Sequence, residues 1–322
     1  MREAVFIRQN MNKWRSYESA INDLNDMSPD ELADMYTELT ADLAFAQTHY
    51  PDSIITKSLN DLTLKVHSEI YKGRPEKWSR LKTFWTDEVP LAVYEGRWYL
   101  IASFLLFVGF IIIGVVSTLG DGEYVRFILG DGYVDMTMEN IANGDPMGVY
   151  KDDDSIPMFF MIVFNNLRVG IFCYSMGLLS PLGPTYVLMY NGTMVGAFFT
   201  MFYQQNVLGP AFLGIMQHGT LELSTIVLEG GAGLWLASCW LFPGTYSRGQ
   251  AFRRGAKQSL KLAISVMPIT VLAAVFESFV TRHTEAPIGV RVAVIVLSAA
   301  FIIYYYIVLP YLKRHEAQAQ AK

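Results

Sequence analysis

Polar and apolar positions divide the 322-residue chain unevenly, with a polar leading third followed by apolar blocks separated by short polar breaks. Residues 1–96 show the charge density and spacing of a helix-rich polar region. Ser28-Pro29-Asp30-Glu31 predicts a helix start, with Ser28 as cap, Pro29 in the first turn and Glu31 closing a capping box. His49-Tyr50-Pro51-Asp52 and Gly73-Arg74-Pro75 predict breaks. Residues 76–96 interleave Trp78, Leu81, Phe84, Trp85 and Tyr94 with Lys77, Arg80 and Lys82. That mixture suits a helix lying in the headgroup region of a membrane.

From Trp98 to Ser117 there are twenty residues without a charge, enough to cross roughly 30 Å of hydrocarbon. Further apolar blocks are read at about Ile156–Leu179, Thr185–Tyr203, Leu208–Phe242, Leu262–Val280 and Val290–Leu309. The fold class expected is all-α: a polytopic bundle of about six spans. The fourth block is too long for one straight span, and Gly230-Gly231 predicts a break or kink in it. The domains follow as a cytoplasmic helical region with its interfacial helix over 1–96, a transmembrane domain over 97–310 and a tail over 311–322. Between the first two spans lies a polar stretch, 118–155, with nine acidic and two basic residues, read as an outer loop.

Composition agrees with a membrane protein: 52% of residues are hydrophobic and 17% charged. A net charge of -5 leaves no basic face for nucleic acid. Cys173 and Cys239 lie in apolar blocks and read as small packing residues. Arg248, Arg253, Arg254, Lys257 and Lys261 follow the fourth block without an acid among them, and Lys313 and Arg314 follow the last. By the positive-inside rule, both termini face the cytoplasm and the 118–155 stretch faces outward. Two half-helices in place of the fourth span would change that parity.

Ionisable groups inside apolar blocks are expensive and mark either a site or an interhelical pair. His218, Glu222, Thr225 and Glu229 fall within about 60° of one another on a helix, forming one polar stripe. Arg168 and Glu222 come out at matching depth, so an Arg168–Glu222 ion pair is expected, with Asn165, Asn166 and Asn191 close by. These groups either fix helix register by pairing or line a cavity for an ion, a proton relay or a lipid headgroup. His218 and Glu222 have metal-ligand spacing, but no third ligand is apparent and His-Glu-x-x-His is absent, so no metal, cofactor or catalytic residue is assigned. Glu277 either pairs with Arg282 or reaches the interface. Gly192 and Gly196 form a small-residue surface suited to close helix approach and to a homodimer. Gly230, Gly231 and Gly233 suit close packing better than a nucleotide loop.

Several of these pieces together resemble the stage II sporulation protein M family. They are Asn166-Leu167-Arg168-Val169, the Pro181–Gly183 turn, Asn191-Gly192 with Gly196, His218-Gly219-x-x-Glu222, and Gly230-Gly231-Ala232-Gly233-Leu234. The resemblance covers roughly residues 95–310. It implies a bacterial inner-membrane protein acting as a non-enzymatic scaffold or anchor in a cell-envelope complex. Its implied partners are membrane lipids, peptidoglycan hydrolases outside and a MoxR-like ATPase inside. Glu229 departs from the family pattern, where a small or apolar residue is usual. The alternative function is a transporter or channel for an ion or lipid-linked solute, using the polar stripe.

Overall fold

The computed structural model describes residues 3–21, 29–71, 78–148, 155–281 and 286–320. Among these residues every regular element is helical. The chain separates into two compact units, Met1–Arg80 and Leu81–Lys322.

The first unit is built from α1 (Glu3–Ile21), α2 (Pro29–His49) and α3 (Ile54–Tyr71). Phe6, Trp14, Leu39, Leu43, Leu59 and Val66 meet in its core. Phe6 meets Trp14 edge to face at 5.3 Å. The indole N–H of Trp14 donates to Asp42 at 2.8 Å, and Lys13 reaches the same carboxylate at 2.6 Å. Burial, and the hydrogen bond from the Tyr17 hydroxyl to Glu38, push that phenol up to about 12. The break expected at His49–Asp52 ends α2, and Thr56 donates back to the Tyr50 carbonyl at 2.7 Å. Ser28 and Gly73–Pro75 lie outside the described residues. Leu39 is fully buried, so Leu39→Ala should remove about 2–5 kcal/mol. Faster hydrogen exchange across α1–α3 in the full chain would register that loss.

The second unit begins in α4 (Trp78–Thr83), which passes through a wide π-type turn, Phe84–Glu88, into α5 (Val89–Gly120). The stretch read as a headgroup helix is helical over 78–96. It runs directly into the first span, and the helix continues through residue 96. Two ion pairs fix it to later helices, Lys261 to Glu88 at 2.7 Å and Lys313 to Asp87 at 3.0 Å. Phe84 packs into the same core as Val93, Leu262 and Tyr306.

After α5 come α6 (Tyr124–Leu129), α7 (Asp131–Ala142), α8 (Ser155–Met176), α9 (Leu182–Gln204) and α10 (Leu208–Leu241). Next is α11 (Arg248–Val275) with a π-type turn at Phe276–Thr281. The chain closes with α12 (Ile288–Ile303), a third such turn at Tyr304–Val308, and α13 (Leu309–Gln320). The polar stretch after α5 is more than a loop. Val125 of α6 and Val134 of α7 pack with Met147, Ala197, Phe202 and Ile215, capping one end of α9 and α10.

Among the described residues, five helical segments are long and apolar enough to cross a membrane: Arg80–Gly120, Ile156–Met176, Leu208–Leu241, Arg248–Thr281 and Ile288–Ala319. This is a multi-pass membrane protein. The 23-residue α9 does not meet the same apolar threshold, yet it runs beside α5 in the same direction. Gly192 faces Phe107 and Phe110, Gly196 faces Ile111 and Gly114, and Gln204 reaches the Thr118 carbonyl. Its low apolarity follows from those contacts, since small residues replace large ones where two backbones meet.

No break interrupts α10, which continues for 34 residues. The glycines read there both as a break or kink and as close-packing residues admit neighbours. Gly230 takes Leu188 and Ser103, Gly231 takes Leu100, and Gly233 takes Pro184 and the Cys173 carbonyl. Ser103 donates to the Val227 carbonyl at 2.7 Å across the same contact. Inside a bilayer, hydrophobic burial does not drive helices together, so dispersion at such close approaches and a few hydrogen bonds hold them.

Candidate functional site

The site grows from one face of α10. His218 is 3% exposed and Glu229 5%, while Glu222 is half-buried. The polar side chains sit at helical spacing, so a continuous α10 brings them to one side. Opposite them, the π-type turn Phe276–Thr281 widens the end of α11. A wide turn of this kind holds side chains four apart on nearly one face, and such turns recur at functional sites. Here it directs Glu277 and Thr281 at His218. Thr281 Oγ1 lies 2.9 Å from His218 Nδ1. One ring nitrogen of His218 and one carboxylate oxygen each from Glu222 and Glu277 all lie within 4.8 Å of one another.

Asn166 of α8 stands beside Glu222, and its Oδ1 accepts from Asn165 Nδ2 at 3.3 Å. The cluster forms one wall of a cavity of about 510 Å³. Asn165, Tyr190 and Asn191 contribute polar atoms to the lining, and Ile128, Leu129 and Tyr133 of the α6–α7 cap close over it. Burial pushes the Tyr133 phenol up to about 12, so it stays a neutral hydroxyl. Among the described lining residues there is no lysine and no arginine.

The residues singled out in the sequence separate into groups. His218, Glu222, Asn165 and Asn191 line the cavity, with Asn191 Nδ2 donating to the Val187 carbonyl at 2.9 Å. Glu229 lies further along α10, its carboxyl packed onto Gly170 of α8. A methyl group at 170 would overlap that carboxyl, so the glycine makes room for it.

Arg168 does not pair with Glu222. Two residues on a helix turn about 200°, so with Asn166 facing α10 the guanidinium points away from it. Arg168 is exposed and forms no ion pair among the described residues. Gly192 and Gly196 are buried under α5 of the same chain, which removes them as a homodimer surface. Glu277 is the residue that sequence reasoning missed. It was placed at the interface or with Arg282, which lies outside the described residues. Its signal was the same as that of Glu222, a carboxylate in an apolar block.

Two family models match the chain. One, a domain of unknown function (DUF8413), covers residues 4–72. The other, Stage II sporulation protein M, covers residues 103–282 and so includes every member of the cavity cluster. No curated protein and no solved structure matches. The second match spans more than half of the 322 residues, and the chain belongs to the stage II sporulation protein M family.

Proposed function

We propose that this chain is a non-enzymatic integral membrane protein that binds and moves a small cation or polar solute through the cavity between α8, α9, α10 and α11. The observation that carries this reading is the convergence of His218, Glu222 and Glu277, all within apolar candidate spans, on an open volume of about 510 Å³. Groups serving only to fix helix register would close on one another and leave no such space. Pockets that hold small ligands are largely preformed, mostly apolar and supplied with a few converging polar groups, as this one is. Basic residues at the α11 start and in α13 favour a cytoplasmic position for both termini. The cavity and its α6–α7 cap then face outward from a bacterial cytoplasmic membrane.

Reconstituted vesicles test the proposal. Flux of protons, sodium, potassium and divalent cations is followed for the native chain and for Glu222→Gln. The variant keeps the shape of the side chain and should lose flux about tenfold or more, a factor of ten for each 1.4 kcal/mol of lost binding. Native-level flux in the variant, or no flux in the native chain, overturns the reading.

Family membership favours a second reading, an anchor for envelope enzymes outside or an ATPase inside. Exposed Asp131, Asp135 and Glu139 on α7 offer an acidic outer surface for such a partner. Glu139→Lys, which leaves the Arg126 pairs to Asp131 and Asp135 intact, would weaken an anchor while leaving flux unchanged.

A further inference from the structure

We propose that His218, Glu222 and Glu277 form a site for a divalent transition-metal ion of the zinc type, an inference that rests on reading the cavity as a ligand site. Two helices bring one imidazole and two carboxylates together with their donor atoms within 4.8 Å. A tetrahedral zinc holds its ligands about 3.4 Å apart, given bonds of about 2.1 Å, so side-chain rotations close the difference. His218 and Glu222 are four apart on α10, the spacing that directs two ligands to one ion.

The surroundings point the same way. Metal-bound histidines are oriented through their second ring nitrogen, and Thr281 Oγ1, 2.9 Å from Nδ1, can accept a hydrogen bond from it and so assign Nε2 to the ion. Asn166 stands beside Glu222, where its amide can donate to the carboxylate oxygen that does not bind the ion. Two carboxylates inside apolar spans need compensating charge, and the described lining offers no lysine or arginine. A divalent ion balances both carboxylates. The imidazole selects against calcium and magnesium, which take oxygen ligands, and in favour of zinc, cobalt, nickel or iron. Three protein ligands beside a cavity leave a coordination position open to water or to an exchanging ligand.

The full chain, purified in detergent and stripped with chelator, is titrated with Zn²⁺ by calorimetry and with Co²⁺ by visible absorption. One ion per chain is expected. His218→Ala and Glu277→Gln should each lose affinity by more than about 100-fold, and Thr281→Val by about 10–100-fold, the range for a group that orients a ligand. Helical content and elution volume of each variant show that it remains folded. Absence of binding, or equal binding in Glu277→Gln, overturns the metal assignment.

The vesicle experiment separates the two proposals. If no ion binds while Glu222→Gln still abolishes flux, the metal site falls and the ligand cavity stands. Tight stoichiometric zinc without any flux retains the site and removes transport.

Discussion

Gly114→Leu is expected to leave no folded transmembrane bundle. A Cβ at 114 would run into the Thr193 backbone, and one at Gly196 into the Ile111 carbonyl, so α5 and α9 meet backbone to backbone on both sides. Side chains can rotate away from an added methyl, but a helix backbone can only shift as a whole. Overpacking by a single carbon costs about 1–3 kcal/mol where neighbours adjust. Gly114→Ala should fall in that range, and leucine, with several more atoms against the Thr193 backbone, should offset most of the roughly 5–15 kcal/mol by which proteins are stable. Size-exclusion profiles and melting in detergent read the result. Gly109→Leu is the control, because nothing lies within 4 Å of a Cβ there, and it should behave as the native chain does. A monodisperse Gly114→Leu with unchanged melting would mean that α5 and α9 do not cross this closely.

Val195→Trp should reduce vesicle flux to background while the bundle stays intact. Val195 projects from α9 into the cavity, on the wall across from His218 and Glu222. An indole brings roughly 150–250 Å² of ring surface into that space. The substitution leaves every carboxylate in place, so its effect separates blocked access from lost charge. It is also partner-independent, since it touches no residue of the α7 acidic surface. Flux at the native level would place the conducting path elsewhere in the chain.

The periodicity of the chain reveals its helices, the order of its spans and the face shared by His218, Glu222 and Glu229. All of these follow from spacing along one segment. Contacts between segments are less legible. Arg168 and Glu222 share a depth, but depth carries no azimuth, and the neighbouring Asn166 takes the inward direction. The glycines at 230–233 signal either a break or a close approach, and only the neighbours Leu188, Leu100 and Pro184 distinguish the two. Gly192 and Gly196 carry the same ambiguity, because a close-packing surface does not name its partner. Glu277 depends on a turn of altered pitch, which no hydrophobic repeat announces. The α6–α7 cap is hidden by its charges, which occupy outward positions while Val125 and Val134 point inward.

Arg168 has an effect on the bilayer itself. It lies about 4 Å from the midpoint of the 22-residue α8, on the outer surface of the bundle. A guanidinium held there against hydrocarbon costs about 3 kcal/mol by insertion scales, and phosphate groups and water drawn inward offset that cost. A bilayer around the chain is expected to thin along this flank. Asn165 and Tyr190, both exposed at the edge of the cavity, border the same region. Such a depression would shorten the distance from bulk water to the cavity, and on the proposed function it would make the lipid sheet part of the access route.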